Sequence, residues 1–553
     1  MSRADIDQLL VSELRVLEEL RRSYVARHPA SGLEREDPDI QRIIEALALF
    51  SVRSRLSQQR NIQSTWRRLF ASYFDFLLAP LPSCAVLQAV VTPRLVETVT
   101  IERGTLLRLT TTSGKTASFT TLADLRVLPI RLDSLELKRF DSYSELVLRF
   151  TTRFPRTDAV EVLRLFVHCA GSYNAAVLLH YQLRSYLKQI TVSYEPRPAT
   201  PSLMECEARF SEYAEQPFDT PPLNPVEQVR RFFNFPEQEL FIDVKVPRSQ
   251  GPWTSFTLSL KLDPDFAPEQ VPATDTFQLF AVPIENRFRQ PAAPILCTGT
   301  ASEYAIREVD PAQQTSLVRV NGVSRMEKTG LVPLRPAYLT AADSEETFEV
   351  EEREDDAQSG SFLLVRMPRA LLSPVKLLVD AEWHQPWFAR EAVGKLRIAA
   401  PYRSLEGLSL QTLVPVRPPQ ETLLRRDTQG LLVLLALRMK SQLTRPELLR
   451  VLDVLGTISG SPYQRMPSLL RELNVEIVLD SALRGSGLCH RYRATLNRYA
   501  EHEEALVWHF CTRLQELLDY WNAEASVELT VDAGGLILSS PLPGRLPETP
   551  VAG

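Results

Sequence analysis

The feature that most constrains this chain is the apolar stripe at its start. Ile6, Leu9, Leu10, Leu14, Leu17, Leu20 and Tyr24 recur every three or four residues with charges between them, which is the period of one face of a helix. His28-Pro29 ends that helix. Asp37-Pro38 reads as an N-cap followed by proline at the first helical position, and the second helix carries Ile40, Ile43, Ile44, Leu47 and Phe50. A third helix, from about Ile62, carries Trp66, Leu69, Phe70, Tyr73, Phe74 and Leu77 and stops at the Ala-Pro-Leu-Pro of residues 79–82. A fully buried Leu or Ile contributes roughly 1.5–3 kcal/mol, so half a dozen on one face make burial worth on the order of 10 kcal/mol. Such a stripe has to be covered, either by helices two and three or by another subunit.

From Cys84 the texture changes. Residues 85–93, 97–112 and 144–154 are rich in Val, Thr and Leu with partial alternation, the pattern of strands. A helix-like insert interrupts at 173–190. Residues 195–225 hold a proline-dotted connection and a short helix. Strand texture returns from Leu240 to about Val416 and encloses an acidic run at 343–356, read as a solvated loop. After Pro419 the chain turns helical. Leu431–Met439 reads as a buried helix, Thr444-Arg-Pro-Glu447 as a capping box, and residues 502–522 as a long helix before a strand pair at 526–540. The expected fold class is α+β and multidomain. It has an N-terminal helical segment over 1–80, a first β-rich domain with a helical insert over 81–240, and a second with an acidic loop over 241–420. A C-terminal α+β domain follows over 421–540, then a disordered tail over 541–553.

The chain shows little chemistry. A net charge of −5 over 553 residues lacks the basic footprint of a nucleic-acid binder. Gly114-Lys115-Thr116 is no phosphate loop, because Leu109 stands where the first glycine belongs; it reads as a turn between Thr-rich strands. Cys489, His490, His502, His509 and Cys511 lack the paired spacing of a zinc site. The six cysteines (Cys84, Cys169, Cys206, Cys297, Cys489 and Cys511) form no C-x-x-C pair and read as free thiols in a reducing compartment. No G-x-S-x-G elbow marks a nucleophile. The expectation is no enzyme activity, no cofactor and no metal. No apolar run reaches the ~18 residues of a membrane span, and the acidic N-terminus lacks the apolar core of a signal peptide. A cytoplasmic protein is expected.

One stretch remains, residues 226–246. Phe232, Phe233 and Phe235 are followed by Pro236-Glu237 and then by Leu240, Phe241, Ile242 and Val244. This resembles the middle of the TssF family, the baseplate wedge proteins of bacterial type VI secretion systems, which reads Tyr-Phe, small residue, Phe-Pro-Glu, then a Phe-rich strand. Arg231-Phe232 stands where that family more usually has Glu-Tyr. Other blocks follow in the family's order across residues 10–325. They are the opening helix closed by His28-Pro29; Asp37, Pro38, Glu45 and Ala46; Pro80, Pro82 and Ser83; the strands at 101–107 and 117–132, with Thr120 replacing an arginine; and Val282, Pro283, Asn286, Phe288, Pro294 and Ile295. The C-terminal third matches poorly, and Ser57-Gln-Gln-Arg60 replaces an expected acidic pair. The chain therefore resembles a divergent member.

The resemblance implies a structural role without catalysis. The expected function is a baseplate wedge subunit around the spike hub and beneath the contractile sheath. Its expected partners are a TssG-like protein, a second copy of itself, a TssK-like protein, a VgrG-like hub and a sheath-initiating TssE-like subunit, with no nucleic acid and no membrane span of its own. It would be cytoplasmic, docked at the inner membrane through the assembled baseplate. Leu10, Leu14, Leu17, Ile43 and Leu47 are the expected partner-interface residues. Phe232, Phe233 and Phe235 should end a short helix stopped by Pro236 and cement it to the strand of Phe241; Pro283, Asn286 and Phe288 form a second structural motif. The alternatives are a wedge protein of a contractile phage tail or extracellular injection particle, and an enzyme or carbohydrate-binding β-domain.

Overall fold

The N-terminal apolar period folds into two long helices, α1 (Arg3–Arg27) and α2 (Pro38–Leu78). The computed structural model that contains them describes residues 3–29, 38–169, 171–195, 203–210, 225–269, 271–301, 303–339, 345–355, 358–368, 371, 373–402, 405–421, 428–455, 461–479, 488–522, 525–532 and 537–539. The expected second and third helices are one element. Residues 51–61 contain no glycine or proline, so nothing stops propagation, and the only non-helical backbone within α2 is at Phe74 (φ −142°, ψ 47°). The two helices pack together, with Ala48 and Val52 buried and Ser51 Oγ donating to Glu13 at 2.6 Å.

The fold is mixed α+β, and the chain divides into two compact units, each drawing on separated stretches. The first comprises residues 1–78, 289–383 and 424–432. Beside the helices it holds a sheet in the order Phe288–Pro291, Val375–His384, Ser316–Glu327, Gly330–Pro333, and a second in the order Glu303–Ala305, Gln358–Arg366, Thr347–Asp355, Arg335–Pro336. The acidic run is thus mainly a strand, which corrects the expected loop. Phe348 pairs with Val365 and Val350 with Leu363, so apolar residues alternate with the acids and give the strand one core-facing side. On the other side Glu349 pairs with Arg68 of α2.

The second unit comprises residues 79–288, 384–423 and 433–553. Its largest sheet is antiparallel and runs across residue 240. The order is Phe277–Leu279, Glu161–Val167, Phe241–Val246, Met204–Phe210, Leu187–Glu195, Trp253–Leu262, Ser144–Arg156, Ile130–Arg139. The helical insert, α3 (Tyr173–Tyr186), ends four residues earlier than its expected end at 190. The chain continues as the strand Leu187–Glu195, where Ile190, Val192 and Tyr194 alternate into the core. The expected short helix cannot extend through Met204–Phe210, which is a strand; residues 211–224 lie outside the described residues, as does the tail 541–553.

A six-stranded sheet has the order Arg397–Ala399, Leu106–Thr110, Thr116–Thr121, Ala281–Glu285, Cys84–Val91, Leu408–Thr412. Gly114 sits at φ +85° in the turn joining its second and third strands. Helix α4 (Pro225–Asn234) precedes the strand Phe241–Val246, and α5 (Phe388–Glu391) is a single turn. Helix α6 (Thr428–Arg438) leads to α7 (Arg445–Leu455), whose start is capped by Glu447 accepting from the Thr444 N–H at 2.9 Å. After the single turn α8 (Met466–Leu469) comes a four-stranded sheet, Leu470–Leu479, Leu488–Leu496, Ser526–Asp532, Ile537–Ser539. Its middle pair is parallel, which requires a crossover; α9 (Glu504–Trp521) supplies it.

Gly407 gives a test of this packing. Its φ is +79°, and a Cβ there would lie 2.7 Å from the backbone of Leu95. Gly104 has φ +76° but open space around it. Left-handed backbone costs roughly 1–2 kcal/mol at either position. Gly407→Ala should lose at least about 2 kcal/mol and more than Gly104→Ala, read as urea midpoints; equal midpoints would contradict the close approach.

Candidate functional site

Residues 226–246 form a knot in the core of the second unit. Phe235 N–H donates to the Arg231 carbonyl at 2.7 Å, closing the end of α4. Phe235 then turns extended (φ −136°, ψ 69°), as a residue before proline does. Pro236–Glu239 make one 3₁₀ turn in which all four residues are buried. Two carboxylates inside a core need cations. Glu237 receives Arg417, with Nε at 3.0 Å, and Glu239 receives Arg513, which also holds Glu516 at 2.6 Å. Burial opposes the Arg513 charge, but Glu239 and Glu516 outweigh it and hold its pKa above the ordinary guanidinium value.

The aromatic rings close around this turn. Arg513 stands 5.7 Å from the Phe232 ring centroid, and Phe232 lies 4.4 Å from Tyr463. The Tyr463 hydroxyl meets that of Tyr173 at 2.8 Å. Ser461 donates to the Phe233 carbonyl at 3.0 Å, and Phe233 lies 6.2 Å from Phe510. Phe241 lies 4.9 Å from Phe166 on the neighbouring strand. Sequence reasoning nominates the phenylalanines but misses Arg417, Tyr463, Phe510 and Arg513, which come from the poorly matching part of the chain. A buried Glu-x-Glu is itself a signal that two cations must arrive from elsewhere.

The second motif is another anchor. Asn286 is fully buried. Its N–H donates to the Ser83 carbonyl at 2.7 Å, its side-chain amide to the Ser118 carbonyl at 2.7 Å, and its side-chain oxygen accepts from the Gln385 N–H at 2.5 Å. One residue, through its side chain and its backbone, thus ties three distant segments. Pro283 is half-buried within Ala281–Glu285, and Phe288 is buried. Phe232, Phe233, Phe235, Asn286 and Phe288 are buried, so both motifs pack the interior of the fold.

The surface candidates lie on the first unit. Leu10, Leu14 and Leu17 are half-buried on α1. On α2, Ile43 is 59%, Leu47 52% and Phe50 72% exposed. Their spacing of four and three residues makes one continuous stripe. Phe50 is missed by the nomination although its spacing points to it. Ile62, Leu69 and Tyr73 are exposed further along α2, and Val16, Leu20 and Tyr24 on α1.

The titratable groups elsewhere serve packing. Cys489 and His490 lie on the strand Leu488–Leu496, where the His490 ring contacts the Asn522 amide at 2.5 Å. His509 and Cys511 lie within α9, and burial pushes the Cys511 thiol up to about 12. Among the described residues no three His, Cys, Asp or Glu side chains gather as a metal site, and no helix is long and apolar enough to cross a membrane. His180 and His509 are buried with ring centroids 5.9 Å apart. Burial, with Arg184 assisting and the Phe241 carbonyl opposing, pushes His180 down to about 4; burial and His180 push His509 well below the usual imidazole range.

A family model described as type VI secretion system, TssF, matches residues 6–369. No curated protein sequence matches the chain. Two solved structures share the fold. One belongs to the type VI secretion system TssK-TssF-TssG baseplate subcomplex, with a TM-score of 0.72 and 16% identity over 92% of this chain and 99% of that one. The other belongs to the type VI baseplate complex, with a TM-score of 0.57 and 14% identity over 95% and 96%.

Two outcomes are expected. Phe235→Ala should cost about 3–5 kcal/mol as a buried truncation, and Arg513→Ala about 3–5 kcal/mol because Glu239 is left buried without its cation. Adding Glu239→Gln to Arg513→Ala should restore part of that loss, and denaturant titration of the three variants checks it. Acid should also weaken the fold. The unfolded imidazole of His180 takes a proton near its ordinary value of 6.5 and the folded one only near 4. Stability is therefore full above pH 6.5 and falls as the pH drops toward 4, by about 3 kcal/mol from this group. Unfolding free energies measured across that window should fall, less steeply in His180→Leu.

Proposed function

Because this chain belongs to the type VI secretion system TssF family, we propose that it works as a structural wedge subunit of the baseplate and turns over no substrate. Its proposed partners are a TssG-like protein, a second copy of itself and a TssK-like protein, within a wedge that meets the VgrG-like hub and a TssE-like sheath subunit. It acts from the cytoplasm, docked at the inner membrane through the assembled baseplate. The family match over residues 6–369 supports this reading, as does a fold shared with chains of a TssK-TssF-TssG baseplate subcomplex and of a type VI baseplate complex. A secretion-system family favours it over a phage tail or an extracellular injection particle.

The observation that carries the assembly role is the apolar face left open on α1 and α2. Ile43, Leu47 and Phe50 are each more than half exposed, in line on one helix. Apolar area of this kind is unfavourable in water and is a mark of protein contact. Leu10, Leu14 and Leu17 belong to the same proposed interface, holding α1 against α2 so that the stripe is presented as one surface.

Co-expression with the TssG-like partner tests this. Replacing Ile43, Leu47 and Phe50 together by lysine should weaken association roughly 100-fold or more, since three buried apolar side chains are lost. The far-ultraviolet circular dichroism and melting profile of the isolated chain should stay as before, because these side chains already face solvent. Undiminished co-purification of the triple variant would contradict the proposal.

A further inference from the structure

The six-stranded sheet leaves two strands at its ends, Arg397–Ala399 and Leu408–Thr412. They are not hydrogen-bonded to each other, and a cleft of about 720 Å³ opens beside them, walled by residues 395–400, 405 and 408–410 together with Thr112. Its floor is apolar: Leu396 is buried, while Ile398, Leu405, Leu408 and Leu410 are half-buried. Its rim is basic. Lys395 and Arg397 are exposed on either side of buried Leu396. Arg108, exposed on the adjoining strand, sits opposite Ala399 and so shares a sheet face with Arg397. None of the three cations has a carboxylate partner among the described residues. Elsewhere on the same sheet Lys115 is paired, with Glu391. The one carboxylate in the loop beside the cleft is exposed Glu406.

Three unpaired cations gathered beside an apolar cleft, on a chain whose net charge is −5, are complementary to a negatively charged guest. We infer that this cleft docks an extended acidic segment of a partner protein, with apolar side chains on Ile398, Leu408 and Leu410 and carboxylates toward Lys395, Arg397 and Arg108. Arg397–Ala399 and Leu408–Thr412 come within 8 Å of each other, less than two strand spacings, so the guest does not pair between them and is held by its side chains along the mouth of the cleft. A nucleic acid is disfavoured, because a phosphate backbone needs a longer basic track than one strand's width. This surface is on the second unit and does not depend on the helical stripes.

Fluorescence anisotropy on the full chain decides it. The probe is a fluorescein-labelled peptide of alternating aspartate and valine; the comparators are the lysine–valine peptide and a single-stranded oligonucleotide of matched charge. Saturable binding of the acidic peptide, weakened by salt, is expected, with no binding of the lysine peptide. Lys395→Glu with Arg397→Glu should weaken it about tenfold, and Arg108→Glu alone by less, through like-charge repulsion. Both changes are at exposed positions, and an unaltered melting profile verifies the fold. Three results would overturn the inference: no saturable binding, equal affinity in the charge-reversed protein, or an oligonucleotide that binds as tightly as the acidic peptide. None of these touches the wedge assignment, which is read by association with the TssG-like partner.

Discussion

The pairing of Glu239 with Arg513 inside the second unit is the contact on which most else depends. Neither charge is tolerable there alone. Glu239 belongs to a turn whose backbone is set by Pro236, and Arg513 to a helix that the four-stranded sheet needs as its parallel crossover. The ion pair can form only when α9 lies against the end of α4. At that point Phe232, Phe233, Tyr463 and Phe510 close around it. Apolar burial supplies most of the stability, since it is not directional. The buried charges supply a geometric condition that greasy contacts alone would not impose, because a displaced α9 leaves an uncompensated carboxylate.

Asn286 does the same with neutral groups. Its single side chain joins Ser118 and Gln385, while its backbone reaches Ser83. A misregistered strand would leave buried amide and carbonyl groups without partners, which is expensive in a low-dielectric interior. Both motifs therefore carry specificity of fold. The contacts proposed above lie on outer surfaces instead: the exposed apolar residues of the helices in the first unit and the basic cleft edge of the second. A scaffold protein has this division of labour because its product is the positioning of neighbours.

Much of the element pattern was legible. The three-to-four period marked α1 and α2, the capping box marked α7, and Thr-rich alternation marked the strands around Gly114. The misreadings have local causes. The polar stretch after Phe50 looked like a gap between helices, yet it contains no breaker, and α2 runs through it. The acidic run reads as a loop on charge alone; Phe348 and Val350, alternating with the acids, carry the strand signal. The helical insert ends sooner than its period suggests: Leu187 and Ile190 keep a helix spacing, but Ile190, Val192 and Tyr194 alternate as a strand, and pairing with Trp253–Leu262 decides between them.

What the sequence determined by itself was local: which segments have a helical or strand period, where Pro236 must end a helix, and which phenylalanines are too apolar to leave in water. These depend on a residue and its near neighbours, so they can be read along the chain. The tertiary structure alone decided which cations meet Glu237 and Glu239, which three segments Asn286 ties, and which apolar faces stay open. Those outcomes depend on residues separated by 38 to 274 positions, whose distances are set only by the whole fold. Ile43 and Ala48 are both apolar residues of one helix; only the tertiary packing makes the second core and leaves the first exposed.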